Sequence, residues 1–340
     1  MTVFITGGAG FIGCNLADHH LRHGDEVVVF DNLSRRGTAA NLAWLQQNHG
    51  ERIAFVRGDI RDFDALRAAL PAGADRVYHM AGQVAVTTSV SNPREDFEIN
   101  ALGTFNVLEA VRANAPGAIT FYASTNKVYG GMEDIVVVED AQRYRYRDLP
   151  LGIPEDRLLD FHSPYGCSKG TGDQYVRDYA RIYGLKTVVF RQSCIYGLRQ
   201  FGVEDQGWIA HFCIAARLGR PISIYGNGKQ VRDVLWIDDL VAAYQAAAKH
   251  IDVAAGQIYN IGGGANITMS IWTEFGALLA ELAGRPIPVT YGDWRPGDQP
   301  VYVSDIRKAE RELGWTPHVS MRDGVTRLWQ WIDANPQLFG

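Results

Sequence analysis

Tyr165 and Lys169 stand four residues apart in the run Tyr165, Gly166, Cys167, Ser168, Lys169. On a helix, positions i and i+4 share a face, so the ammonium would lie beside the phenol. A neighbouring cation lowers a phenol pKa, which would make Tyr165 a general base for a hydroxyl proton near neutral pH. Thr125, with Ser124 at the end of a β-branched and aromatic run, would hydrogen bond the reacting oxygen. Alone, this Tyr and Lys spacing is common, and it gains meaning only from the elements that carry it.

Those elements begin at the N-terminus. Thr6 to Gly13 reads TGGAGFIG, an apolar run followed by Gly7, Gly10 and Gly13 and then Phe11, Ile12 and an apolar helical pattern. Glycines there let the backbone turn, admit a pyrophosphate to the helix N-terminus and bring helix and sheet close. Asp31 ends the second β-branched run, 18 residues after Gly13, where a carboxylate would accept both ribose hydroxyls of an adenosine. Its charge disfavours a 2'-phosphate and favours NAD, although Arg35 and Arg36 could pair with such a phosphate. A bound nicotinamide would itself lower the Tyr165 phenol further. Asn32 and Ser34 follow Asp31, while Asp59 and Ile60 after the third strand would lie at the adenine edge. Ala81 and Gln83, after the fourth strand, point toward the same crevice.

Runs of strand character at 3–6, 26–30, 53–57, 76–80, 118–123 and 187–191 alternate with helical patterns at 11–23, 41–48, 63–70, 97–114 and 163–183. That alternation predicts an α/β fold, a Rossmann-type doubly wound parallel sheet with a smaller mixed α/β C-terminal lobe. Residues 1–190 would form the sheet domain, with 234–265 returning to it, and 191–233 with 266–340 the substrate lobe. The segment from Gly131 to Phe161, rich in Arg, Tyr, Asp and Pro, interrupts the pattern and reads as a functional or mobile insertion.

Composition sets the limits. The chain has 340 residues, 46% of them hydrophobic and 21% charged, with 36 Gly and 13 Pro, which excludes a disordered or collagen-like chain. A formal charge of -5 argues against a general nucleic-acid binder. No run approaches a membrane span or a signal peptide, and no metal-ligand spacing stands out. Cys14, Cys167, Cys194 and Cys213 are scattered without a CxxC pair, as reduced thiols of a cytoplasmic enzyme would be, and read as small apolar side chains. Trp208, Trp236 and Trp294 fit apolar filling and base stacking equally well.

Taken together, these motifs resemble extended short-chain dehydrogenases/reductases, the family of nucleotide-sugar epimerases and dehydratases, over essentially the whole chain. The matching residues are TGGAGFIG, Asp31 and Asn32, Gly58 to Ile60, Ala81 and Gly82, Asn100 with Gly103 and Thr104, Thr125 to Gly130, Tyr165 to Lys169, and Arg232 with Asp233. The resemblance implies that Tyr165 is the base, that Lys169 orients the nicotinamide ribose, that Thr125 assists the sugar hydroxyl, and that Asn100 and Gln83 line the cofactor cleft. The stretches DFHSPYGCSKG, TVVFRQSCIYGLRQF, DQGW and GNGKQVRDVLW are similar to the group of CDP-tyvelose (CDP-paratose) 2-epimerases.

Dehydratases of the family place Asp and Glu directly after the catalytic Thr, to move a C5 proton and expel water. Here Asn126 and Lys127 occupy those positions, which leaves reversible oxidation of one ring carbinol. Only the resemblance makes that carbon C2, in a CDP-sugar. Inversion at C4 or another NAD-dependent oxidoreduction of a nucleotide sugar remains open beside it, as does a non-catalytic NAD-binding regulator. Arg232 and Arg295 are the natural diphosphate clamp, because guanidinium groups fit phosphate oxygens bidentately. Asn126, His162, Arg199 and Gln206 are further candidate sugar contacts, whereas Lys127 and Lys229 read as surface residues. The family commonly pairs subunits through two long helices, here 97–114 and 163–183, so a homodimer or homotetramer is expected.

Overall fold

In the computed structural model, which describes residues 1–295 and 298–340, seven parallel strands form the central sheet. Their order across it is Ile258–Ile261, Lys186–Gln192, Ile119–Thr125, Arg76–His79, Thr2–Thr6, Glu26–Asp31, Ile53–Arg57. The chain winds outward in both directions from the pair formed by Thr2–Thr6 and Arg76–His79. The connections leaving their C-terminal ends therefore run in opposite directions and leave a crevice between them, where doubly wound sheets bind ligands.

Alternation along a strand explains the two-sided core. Val3 and Ile5 face the cluster that contains helices Phe11–Arg22 and Ile237–Lys249, while Phe4 between them faces the cluster under helices Gly103–Asn114 and Ser163–Tyr183. Strand Ile258–Ile261 pairs with Lys186–Gln192, so the chain returns to the sheet after leaving it. A second sheet, built from Cys194–Tyr196, Val231–Trp236, Thr268–Ser270 and Val301–Tyr302, stands over the C-terminal edge of the first.

Two local features differ from the sequence reading. The helix expected over 97–114 starts earlier, at Pro93, where the Asn92 side chain accepts the Glu95 N–H, and it contains a π-helical turn at Glu98–Leu102. That turn carries Asn100, and such widened turns occur often at functional sites. The Gly131 to Phe161 insertion is folded, over a small core that it shares with the second sheet. Strands Val137–Glu139 and Tyr144–Tyr146 pair, and Tyr146 and Ile153 are buried with Val128, Tyr129, Val231 and Tyr302.

Candidate active site

The N-terminal turn of helix Phe11–Arg22 is built for a close approach. Gly7 adopts a φ of +66°, and a Cβ there would lie 2.5 Å from the Ala81 nitrogen. One on Gly13 would lie 2.2 Å from the Gly7 oxygen, whereas at Gly10 the Gly7 oxygen, at 3.1 Å, is the one atom near, so Gly10 opens onto the crevice. The helix has no side-chain cap and no acidic residue in its first turn, which leaves its N–H groups for an anion. The Asp31 carboxylate, raised by burial, accepts the N–H groups of Ala9 (3.0 Å) and Leu33 (2.8 Å) and keeps lone pairs for diol hydroxyls.

Farther along, Asn32 donates to Asp59 (3.0 Å) and accepts the Ser34 N–H (3.0 Å), so the loops after the second and third strands form one wall. Asp59, held down to about 2 mainly by its bond from Arg61, stays ionised, and Ile60 packs under Gly103. Arg36 donates to the Phe339 carbonyl (3.1 Å), which ties it to the C-terminus. Arg35 has its charge within reach of both Asp31 and Tyr165. A glycine cradle, an uncapped helix end and a diol-accepting carboxylate fit NAD, whose diphosphate would lie against Gly7, Gly10, Phe11, Ile12 and Gly13 and whose ribose would meet Asp31.

Tyr165 and Lys169 lie on the buried face of helix Ser163–Tyr183, opposite Thr125 at the end of its strand. Burial pushes the Tyr165 phenol up to about 12; the Thr125 hydroxyl beside it pulls it down, Asp96 raises it and Arg35 lowers it. Lys169 lies one helical turn farther along the same buried face. Its ammonium lies 4.3 Å from the centre of the Tyr122 ring, and burial lowers it to about 7 against the pull of Asp96 and Asp173.

Two residues expected to touch the cofactor are committed to the protein. The Ser124 hydroxyl donates to Asp173 (2.8 Å), and Asp173 also holds the buried Arg191 through two bonds of 2.9 and 3.0 Å. Asn100, fully buried, receives the Gln83 N–H (3.0 Å) and donates to the Gln83 carbonyl (3.0 Å) and to Asp96 (3.1 Å). It therefore fixes the loop that bears Ala81 and Gln83. Asp96, which the sequence reading passed over, binds Ser168, Asn100 and Gln83 together. Its only sequence signal is an acid four residues before Asn100.

On the substrate side, Arg232 is buried and its Nη2 meets Asp298 at 2.6 Å. Arg295 reaches Glu204 (2.7 Å) and Asp205 (3.0 Å) and lies 3.9 Å over the Tyr225 ring; Pro296 and Gly297, which follow it, lie outside the described residues. Asn126 is buried with its carbonyl 3.3 Å from the Thr125 hydroxyl. His162 is exposed just before the Tyr165 helix, and Gln206 pairs its backbone with Val203. Arg199, expected as a sugar contact, is engaged by protein partners instead. Its guanidinium stacks 3.4 Å from the Trp44 ring centre and donates to Asn15 (3.0 Å), because helix packing claims it.

Lys127 is no surface residue. Its Nζ donates to Gln299 (3.4 Å), and burial, then Arg232, lower it to about 8. Cys194, read as filler, sits between Lys127 and Arg232 in the wall of the site. Trp236 is core, whereas Trp294 is exposed near Tyr144.

The family model described as GDP-mannose 4,6 dehydratase matches residues 4–328. CDP-paratose 2-epimerase of Salmonella typhi is 46% identical over 340 residues, covering 98% of this chain and all of that protein. Among solved structures, dTDP-glucose 4,6-dehydratase of Streptomyces venezuelae with NAD bound aligns at a TM-score of 0.84 and 30% identity, covering 99% of this chain and 98% of that one. UDP-glucose 4-epimerase of Thermotoga maritima, solved with UDP-glucose, aligns at 0.84 and 29% identity, covering 99% of this chain and 100% of the other.

Proposed function

Because the chain belongs to the extended short-chain dehydrogenase/reductase family and is an NAD-dependent nucleotide-sugar epimerase, we propose that it inverts C2 of a CDP-activated sugar such as CDP-paratose. The observation that carries this reading is the pair Asn126 and Lys127 after Thr125, where elimination needs carboxylates. Asn does not titrate usefully, and Asp96, the acid within reach of Tyr165, is bound to Ser168, Asn100 and Gln83. The choice of C2 and of cytidine is supported by the relative at 46% identity.

In this reading Tyr165 Oη takes the proton from the C2 hydroxyl and later returns it, while the Thr125 hydroxyl bonds the same oxygen. NAD in the crevice supplies reversible hydride acceptance and a positive ring beside the phenol. Lys169, above Tyr122, faces the ribose end of the cofactor site, and Asn100 with Asp96 holds the loop that closes it. Arg232 and Arg295 hold the diphosphate in exchange for their present carboxylate partners, so the 2-ketosugar can turn its other face before it is reduced.

The test is kcat/KM for CDP-paratose, CDP-glucose, UDP-glucose and dTDP-glucose, with each product identified. The expected result is inversion at C2 of CDP-sugars without loss of water. Inversion at C4 of UDP-glucose would establish the competing reading. The apolar side chains Phe97, Leu102, Phe105, Tyr175, Ile182 and Tyr183, exposed on two neighbouring helices, support a homodimer or homotetramer. Sedimentation velocity distinguishes these from a monomer. Free thiols at all four cysteines suit a cytoplasmic enzyme.

A further inference from the structure

Around Cys194 the molecule gathers donors without matching acceptors. Strand Cys194–Tyr196 runs parallel to Val231–Trp236 with Cys194 opposite Val234, so Arg232, two residues before Val234, shares its face. Lys127, just after Thr125 and Asn126, has its charge within reach of both Arg232 and Cys194. Two cations thus share one buried corner with two carboxylates that are already engaged: Asp298 is bonded to Arg232, and Asp233, next to Arg232 on the strand, is bonded by the Ser193 hydroxyl and the Gly264 N–H. Lys127 Nζ has a neutral acceptor, the Gln299 carbonyl, at a long 3.4 Å. Gln299 is oriented by its own amide, which donates to the Gly130 carbonyl.

Trp208 adds a third donor. Its indole Nε1 is buried, and among the described residues the Cys194 sulfur beside it, a weak acceptor, is all that faces it. A buried N–H with only a thiol to meet and an ammonium with only a distant amide carbonyl are both costly, and the same ligand relieves both. That ligand must be anionic and rich in oxygen. Ring hydroxyls would satisfy the indole but leave the charge uncompensated.

We propose that Lys127 and Trp208 are substrate-binding residues that, with Arg232, take the sugar-proximal phosphate of the nucleotide sugar. The inference rests on the nucleotide-sugar reading above. Its geometry follows from chain order: Thr125 meets the reacting sugar oxygen, and Lys127, two residues on, meets the group joined to the sugar. Arg232 grips with a rigid fork, whereas the Lys127 ammonium is a point charge on a flexible stem. It can follow the phosphate as the ketosugar turns.

Titration calorimetry on the holoenzyme with CDP, CMP, UDP and UMP tests this. Lys127→Met should weaken CDP binding about tenfold to a hundredfold, the effect of losing one charge-assisted hydrogen bond, and leave CMP binding within about twofold. Lys127→Arg should restore most of the loss, and Trp208→Phe should reproduce a smaller part of it. NAD content and Tm equal to those of the parent protein exclude misfolding. Unchanged CDP binding in Lys127→Met overturns the proposal, as does equal weakening of CDP and CMP. A fall in kcat with CDP binding intact also overturns it, because Lys127 would then act on the sugar ring. Parent protein that binds neither diphosphate overturns the nucleotide-sugar reading itself. Binding of UDP in place of CDP overturns only the base, and the Lys127 comparison then reads on UDP and UMP.

Discussion

The cofactor crevice and the substrate corner are made of different materials. The crevice is largely backbone: Gly7 and Gly13, which admit no Cβ, Gly10 open to the ligand, an uncapped helix end, and one carboxylate held by main-chain N–H groups. The corner is side chain, with Lys127, Arg232, Trp208 and Gln299 arriving from segments far apart in sequence. Backbone recognition needs no rearrangement to receive its ligand. The corner instead holds its guanidinium groups on internal carboxylates, Arg232 on Asp298 and Arg295 on Glu204 and Asp205, which substrate phosphates must displace. A cofactor retained through every turnover suits the first arrangement, and a substrate that leaves suits the second.

The contrast can be broken at the point where the two regions meet. Tyr165→Phe removes the proton acceptor and should lower kcat about 10²- to 10⁴-fold while NAD content and CDP affinity stay near the parent values. Rapid-quench kinetics with calorimetry checks this. Arg232→Ala should raise the nucleotide-sugar KM about tenfold to a hundredfold without changing NAD affinity. If NAD affinity alone fell, the division between crevice and corner would be wrong. Gly10→Ala should do the opposite, weakening NAD binding about tenfold, on the order of one lost close contact with phosphate, with Tm of the NAD-free protein unchanged. Gly13→Ala, whose Cβ would strike the Gly7 carbonyl, should lower Tm as well.

The smallest effect concerns stability. The Lys169 ammonium is lowered to about 7 in the fold by burial. Between that pH and its ordinary value the unfolded chain binds a proton that the folded chain has lost, so stability rises with pH across this window. The penalty is full below about 7. Lys169→Met, although inactive, should therefore melt higher than the parent near pH 6, with the gain shrinking toward pH 10. Scanning calorimetry of the NAD-free proteins measures it.

What could be read from sequence follows the same division. Gly7, Gly10, Gly13 and Asp31 announce themselves because turn, helix start and strand end are local, and helix Ser163–Tyr183 falls where its pattern placed it. The corner depends on long-range pairing that no spacing encodes. Lys127 looked like a surface residue because its burial comes from Gln299, Asp298 and Arg232. Arg199 looked like a sugar contact because nothing nearby in sequence reveals Trp44 stacking under it. Asp96 was hidden for a related reason: its partners Gln83 and Ser168 lie on separate elements, joined only by the π-helical turn at Asn100. The seventh strand, Ile258–Ile261, is four residues long and lacks a pattern of its own. The sheet it joins supplies its pairing.

The most direct test of C2 inversion by oxidation and reduction at one carbon is incubation with CDP-paratose and CDP-glucose in D2O, followed by NMR and mass analysis of each sugar. The account predicts inversion at C2 with no deuterium gained. Deuterium at a ring carbon, or loss of water, would mean enolisation or elimination. Either would contradict the assignment of chemistry to Tyr165 and Thr125 without a carboxylate at Asn126 and Lys127.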